Sequence, residues 1–260
     1  RGKTHSFEEM NSRLMDELEN ADLSGLETEN ISKYGGWKAK NFGATGYFRL
    51  ENDGRRWWMV DPEGCAFFSK GLDCVRVDGD CNLAGIEKLC EFLPPYDNEA
   101  WTDADRRFLS FHKMNLIRVF GSEWREKFAA LCKSRMKKWG FNTVACWSDL
   151  GLADAIGMPF TYIFGGSMLT ERRLFRDFPD VFSPEYSTVC EEWAKQIIPF
   201  ANNDRLIGYF LGNEPQWAFV NDLNLAALLL ESGRELVSFG VMINWLREKY
   251  QHIDELNAAW

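Results

Sequence analysis

The feature that most constrains this chain is a series of short apolar runs, each followed by a helical pattern. Cys65-Ala66-Phe67-Phe68-Ser69-Lys70-Gly71-Leu72, Phe141-Asn142-Thr143-Val144-Ala145-Cys146-Trp147, Pro159–Phe164 and Leu206-Ile207-Gly208-Tyr209-Phe210-Leu211 read as buried strands. A strand that is apolar on both faces must be covered on both, which is the situation of a parallel sheet flanked by helices. Between these runs the spacing predicts a helix over 123–139, with Trp124, Phe128, Leu131, Met136 and Trp139 on one face, basic residues near its end and Gly140 as a stop. Helices are also expected at 103–114, 185–200 and 238–250. The pattern therefore predicts an α/β fold, either a barrel or an open sheet. No Gly-x-Gly-x-x-Gly follows a strand and no Walker motif occurs, so a nucleotide-binding fold has no support.

Ahead of these runs the chain differs. Residues 1–33 are polar, with Phe7, Met10, Leu14 and Leu18 at helical spacing, and Gly35-Gly36 ends the segment. The sequence predicts a peripheral helical segment over 1–45 and the main fold over 46–260. Tyr47–Leu50 and Trp57–Val60 are expected to pair as a hairpin through Asp53-Gly54, whose residue types suit positive φ. A second turn, Asp61-Pro62-Glu63-Gly64, leads into the first buried run.

Composition narrows the function classes. The 260 residues are 45% hydrophobic and 27% charged, enough for a substantial core. A formal net charge of −9 argues against a nucleic-acid partner. No apolar run approaches the roughly 18 residues of a membrane span, so no membrane partner is expected. The seven cysteines form no Cys-x-x-Cys pair, and His5, His112 and His252 are far apart in sequence. No metal site and no cofactor are therefore predicted. The 11 tryptophans and 20 phenylalanines suit either a large aromatic core or sugar-stacking platforms, and composition does not separate the two.

In parallel barrels the functional groups sit at carboxyl ends of strands. That rule selects Asp73, then Trp147-Ser148-Asp149, then Phe164-Gly165-Gly166, then Gly212-Asn213-Glu214. Carboxylates, an amide and aromatic rings suit a carbohydrate substrate. Glu214 is the sharpest candidate. A glycosidic oxygen leaves only when protonated, and a carboxylic acid of raised pKa supplies the proton. Asn213 suits a contact to the sugar 2-hydroxyl, which strengthens in the transition state. Taken by spacing alone, a strand-end Glu in an ordinary ion pair is the plainer reading.

The wider context favours the chemical reading. Asn213-Glu214-Pro215 after a buried strand resembles the fourth-strand signature of clan A glycoside hydrolases. Gly54–Gly64 with Phe67–Gly71, Trp139–Thr143 with Trp147-Ser148-Asp149, and Leu206–Trp217 are similar to the β-agarase-like and β-galactosidase-like branch. The resemblance covers roughly residues 44–260. It implies a (β/α)8 barrel of TIM type and a retaining, double-displacement hydrolase acting on β-linked galactose-type sugars. Glu214 would be the acid/base and Asn213 the 2-hydroxyl partner. Trp147 and Asp149 would line the cleft, and Gln216 and Trp217 would lie just beyond Glu214. Asp73 admits a functional and a structural reading equally, as does Trp217. Arg118 is a weaker candidate whose plainer reading is an ion pair.

One departure follows from the same resemblance. Clan A enzymes carry a nucleophilic carboxylate at the end of the seventh strand, and the strand count here reaches the fourth at Glu214. The sequence is thus expected to hold only about the first half of the barrel, with the nucleophile outside it. Such a half would expose two strand edges, so self-association or a partner chain over the open edge is expected. The alternative is a carbohydrate-binding or inactive barrel without turnover. A polysaccharide substrate favours a secreted or periplasmic location.

Overall fold

The computed structural model describes residues 3–166, 168–214 and 220–260. Helix α1 (Phe7–Glu19) begins at Ser6, whose hydroxyl accepts the Glu9 N–H at 3.2 Å. Strands β1 (Trp37–Asn41), β2 (Arg49–Asn52), β3 (Trp57–Val60) and β4 (Cys65–Phe67) form an antiparallel sheet in the order β1-β4-β3-β2. The helical reading of 1–45 holds only for α1; β1 is a strand and pairs with β4. The turn into β4 is built on buried Asp61, which accepts the Cys65 N–H at 2.9 Å and the Ser32 hydroxyl. Gly64 closes it at φ +88°, where a Cβ would lie 2.4 Å from the Gly43 carbonyl carbon. No other residue fits there.

The run 65–72 is two strands and not one. β4 ends at Phe67, and β5 (Gly71–Leu72) joins a different, parallel sheet. Phe68, Ser69 and Lys70 carry the chain across. The backbone groups there find their partner in buried Asn142: its Oδ1 accepts the Lys70 N–H at 2.8 Å and its Nδ2 donates to the Phe68 carbonyl at 3.0 Å. Ser69 Oγ donates to Thr143 Oγ1 at 2.9 Å. An apolar run conceals such a change of partner because every residue in it remains compatible with a strand.

Strands β6 (Asp80–Asn82) and β7 (Phe108–Ser110) pair antiparallel over a small cluster of Leu83, Ala100, Trp101, Leu109 and Met114. The helix expected over 103–114 is displaced. Asp103 Oδ1 takes the N–H groups of Arg107 and Phe108 (2.8 and 2.7 Å), which holds 103–107 in a turn. Helix α2 (Phe111–Phe120) then starts at Ser110, whose side chain accepts the Lys113 N–H. Helix α3 (Trp124–Trp139) matches its periodicity: Trp124, Phe128, Leu131 and Met136 are buried. Trp139 does not follow them and is 59% exposed. Gly140 ends the helix in the left-handed conformation, at φ +79°.

Strand β8 (Thr143–Val144), helix α4 (Leu150–Ile156) and strand β9 (Phe160–Ile163) continue the parallel sheet. β5 and β8 pair in parallel through Gly71–Thr143 and Leu72–Val144, and β8 and β9 through Val144–Phe160. Gly71 is required by this packing, since a Cβ there would meet Ala145 Cβ at 2.8 Å. Hairpin strands β10 (Arg173–Phe175) and β11 (Phe178–Pro179) follow, then helix α5 (Pro184–Ala194), capped by Ser183. Its continuation over 195–200 tightens to a 3-10 helix holding Pro199, so the expected helix 185–200 is in two parts. Strand β12 (Leu206–Phe210) completes the sheet order β12-β9-β8-β5. The Phe160 N–H donates to Arg205 C=O and the Phe164 N–H to Phe210 C=O, so β9 and β12 advance together. Helices α6 (Leu225–Ser232), α7 (Val237–Tyr250) and α8 (Ile253–Ala259) end the chain.

The molecule divides into two compact units: Arg1–Tyr162 with Asp204–Tyr209, and Ile163–Asn203 with Phe210–Trp260. The first holds the antiparallel sheet and nearly all of the parallel one. Its deepest side chains, among them Leu131, Met136, Val144, Ile156 and Met158, come from α3, β8, α4 and the turn before β9. In the second, buried Asp180 accepts the N–H groups of Val237 and Ser238 (2.7 and 2.9 Å) and the Ser238 hydroxyl, fixing the start of α7. Among the described residues no helix is long and apolar enough to cross a membrane.

Candidate active site

The strands β5 and β8 deliver their carboxyl ends side by side, and the loops that follow are stitched together. The Ala145 N–H donates to Leu72 C=O and the Cys74 N–H to Cys146 C=O, both at 2.9 Å. The Val75 N–H donates to Ser148 Oγ at 2.9 Å, and the Asp149 N–H to Val75 C=O at 3.1 Å. This lacing brings Asp73 and Trp147 to one edge of the sheet. Asp73 is exposed, and its carboxylate has no partner among the described residues. Trp147 is half-buried, and its carbonyl accepts from Arg76 at 3.3 Å.

Asp149, predicted from sequence to line a sugar cleft, is otherwise occupied. Its Oδ1 accepts the Leu152 N–H at 2.8 Å as the N-cap of α4, and its Oδ2 pairs with Arg125 at 2.5 Å. One oxygen caps α4 and the other ties it to Arg125 of α3, which gives Asp149 a structural task. Arg118 also lies elsewhere, with its guanidinium over the rings of Phe7 (4.1 Å) and Phe92 (4.6 Å). These are cation–π contacts, and the same charge adds to the backbone and Ser6 hydrogen bonds that hold the Glu8 carboxyl below its ordinary pKa.

In the second unit the residue after β9, Phe164, stacks on Trp193 of α5 with ring centroids 3.9 Å apart and planes at 18°. Gly165 is gripped on both sides. Its N–H donates to Gln196 Oε1 at 3.0 Å, and its carbonyl accepts from Gln196 Nε2 (3.1 Å) and Trp193 Nε1 (3.0 Å). The sequence reading places both residues within the helix expected over 185–200 and does not single out either as functional. The one available signal was the Gly165-Gly166 pair, which leaves backbone groups open to side chains.

Asn213 and Glu214 follow the carboxyl end of β12 and are exposed. Gln216 and Trp217 lie outside the described residues, as does Pro215. Glu214 has φ +48°, a left-handed conformation that L-residues rarely adopt. The same is true of Cys74 (φ 57°) and Trp147 (φ 59°) after β5 and β8. Non-glycine residues held left-handed after three strands of one parallel sheet mark positions where local backbone comfort has been given up. Among the described residues no cluster of three or more His, Cys, Asp or Glu side chains is arranged to hold a metal ion, and all seven cysteines are free.

No protein-family model matches the chain. Beta-agarase B of Vibrio sp. (strain JT0107) is 26% identical over 88% of the chain, and Beta-agarase A of the same strain is 26% identical over 78%. The chain spans only 29% and 24% of the lengths of these relatives. Among solved structures, an exo-beta-agarase superposes over the whole chain with a TM-score of 0.75 at 24% identity, the chain covering 44% of that protein. The fold is thus α/β, with a parallel sheet and helices, and similar to that of agarase structures.

Proposed function

We propose that these 260 residues belong to a glycoside hydrolase that cleaves β-linked galactan, with Glu214 as its acid/base. The observation that carries this is the exposed, left-handed Glu214 beside Asn213, just past the end of a strand in the parallel sheet. The agarase relatives support the substrate class. In this reading the 260 residues hold the amino-terminal part of a (β/α)8 barrel of the clan A kind, with α1 as a peripheral element ahead of it. Glu214 protonates the departing oxygen while a carboxylate from outside the 260 residues attacks the anomeric carbon. A glycosyl ester forms, and water, deprotonated by the same Glu214, resolves it with net retention. Asn213 holds the 2-hydroxyl, Trp147 offers its ring to a sugar face, and Gln216 and Trp217 extend the cleft. Asp73 contacts a sugar hydroxyl.

The test is Glu214→Gln in a polypeptide containing residues 1–260 and able to hydrolyse agarose oligosaccharides. Turnover should fall by about 10²–10⁴-fold, as expected for loss of general acid catalysis. A nitrophenyl β-galactoside should be less affected in the glycosylation step, because its leaving group needs little protonation. Unchanged agarose turnover removes Glu214 from the mechanism. Full activity from residues 1–260 alone removes the external nucleophile. Among the described strands β5 and β12 are the outer members of the parallel sheet. The reading requires these edges to be covered by further chain, a second copy or a partner, which sedimentation of the 260-residue chain would reveal.

A further inference from the structure

A cavity of about 930 Å³ opens in the first unit, between the antiparallel sheet and the residues that precede β5 and β8. It therefore lies at the amino ends of those strands, away from Asp73 and Trp147. Three of its rings are conspicuously uncovered: Trp37 is 50% exposed, Trp57 69% and Phe68 78%. Clustered exposed aromatics cost a soluble chain hydrophobic stabilisation, so such a patch marks a binding surface. The Trp58 indole donates to Asp53 at 2.8 Å, but the indoles of Trp37 and Trp57 have no partner among the described residues.

Charge narrows the occupant. Arg56, Lys70 and Lys137 line the cavity, and no Asp or Glu does, although acidic residues outnumber basic ones by 39 to 30 in the chain. Lys137 is neutralised by Asp22 at 2.6 Å. Arg56 and Lys70 have no carboxylate partner among the described residues, which leaves the groove locally positive. Rings flat enough to stack on pyranose C–H faces stand beside free N–H donors and unpaired cations. A nucleic acid would offer bases and phosphates to the same groups, but a chain of net charge −9 repels a phosphate polymer outside this one groove. Sparse anions on a sugar chain suit two cations better.

We propose that this groove is an ancillary binding site for an anionic polysaccharide, with sugar rings on Trp37, Trp57 and Phe68 and sulfate or carboxylate groups on Arg56 and Lys70. It stands apart from the hydrolase reading and survives that reading's failure. The test is affinity electrophoresis of the 260-residue chain through gels containing κ-carrageenan, agarose or double-stranded DNA. Carrageenan should retard the chain, and Arg56→Glu with Lys70→Glu should weaken that binding at least tenfold. Trp57→Ala should weaken it similarly and Trp57→Phe should restore much of it. Retardation that Arg56→Glu with Lys70→Glu leaves intact places the binding outside the groove and overturns the proposal. Thermal melts matched to wild type show that the variants fold. No retardation by carrageenan overturns the proposal, as does equal retardation by DNA, or equal retardation by agarose that the Arg56 and Lys70 substitutions weaken to the same extent. A dimer that Trp57→Ala dissolves also overturns it, since the groove would then be an interface between copies.

Discussion

The two ends of the parallel sheet in the first unit are built on opposite principles. At the amino ends of β5 and β8, the Ser69 hydroxyl donates to Thr143 and the Thr143 hydroxyl to Asn142, which also satisfies the backbone of Phe68 and Lys70. At the carboxyl ends, Cys74 and Trp147 sit in left-handed conformations and Asp73 has no partner among the described residues. Polar groups that meet one another hold the fold. Polar groups left unmet, on backbone that is not relaxed, are available to a ligand. Asp149 shows that position alone does not decide, because at the carboxyl end it is nevertheless a cap.

The largest expected effect extends the contrast to the strand-end carboxylate of the second unit. Glu214→Gln should lower agarose turnover by about 10²–10⁴-fold while leaving the melting temperature near wild type; a large loss of stability instead would class Glu214 with the fold-holding residues. Next comes the opposite end. Asn142→Ala removes the side-chain partner of two part-buried backbone groups and should cost about 1–3 kcal/mol in urea unfolding. A cost under about 0.5 kcal/mol would erase the contrast between the ends. Asp149→Ala removes a helix cap and a partly exposed ion pair, so about 1–2 kcal/mol should be lost. If activity on agarose collapses with stability intact, Asp149 returns to the substrate cleft.

The smaller effects refine the rule. Asp180 is a met carboxylate: burial pushes its pKa up, but the Ser238 hydroxyl and the N–H groups of Ser238, Val237 and Phe182 outweigh that and hold it below its ordinary value. A group depressed in the folded state stabilises above its unfolded pKa, and this contribution fades as pH falls through the folded value. The stability gap between wild type and Asp180→Asn should therefore be constant near neutrality and narrow below about pH 4. A gap independent of pH would show that only the hydrogen-bond geometry matters. Asp73→Asn should change stability by less than about 0.5 kcal/mol. A larger drop would mean that Asp73 has a structural partner.

Much of the framework was legible in the residues. Trp124, Phe128, Leu131 and Met136 wrote out α3, and Gly140 its end. The β9 and β12 runs and α7 fell within a residue or two of expectation. What escaped had definite causes. β1 carries Lys38 and Lys40 half-buried while Ala39 is exposed, the reverse of the usual alternation, because the lysines reach Glu27 and Asp53. The Asp103 turn overrode a helical pattern with two side-chain hydrogen bonds. For the site, strand-end position pointed to Asp73, Trp147 and Glu214. It could not tell that Asp149 points its oxygens at Leu152 and Arg125, since capping and catalysis draw on the same residue types.

The crossing at Phe68, Ser69 and Lys70 bears on how such a chain can be re-engineered. Because these three residues leave one sheet and lean on Asn142 of the next, the antiparallel sheet is not a detachable cassette. A chimera joined at this seam inherits half of a shared joint. To graft β1–β4 onto another scaffold, one must transplant Asn142 and Thr143 as well, though they stand some seventy residues downstream in the sequence.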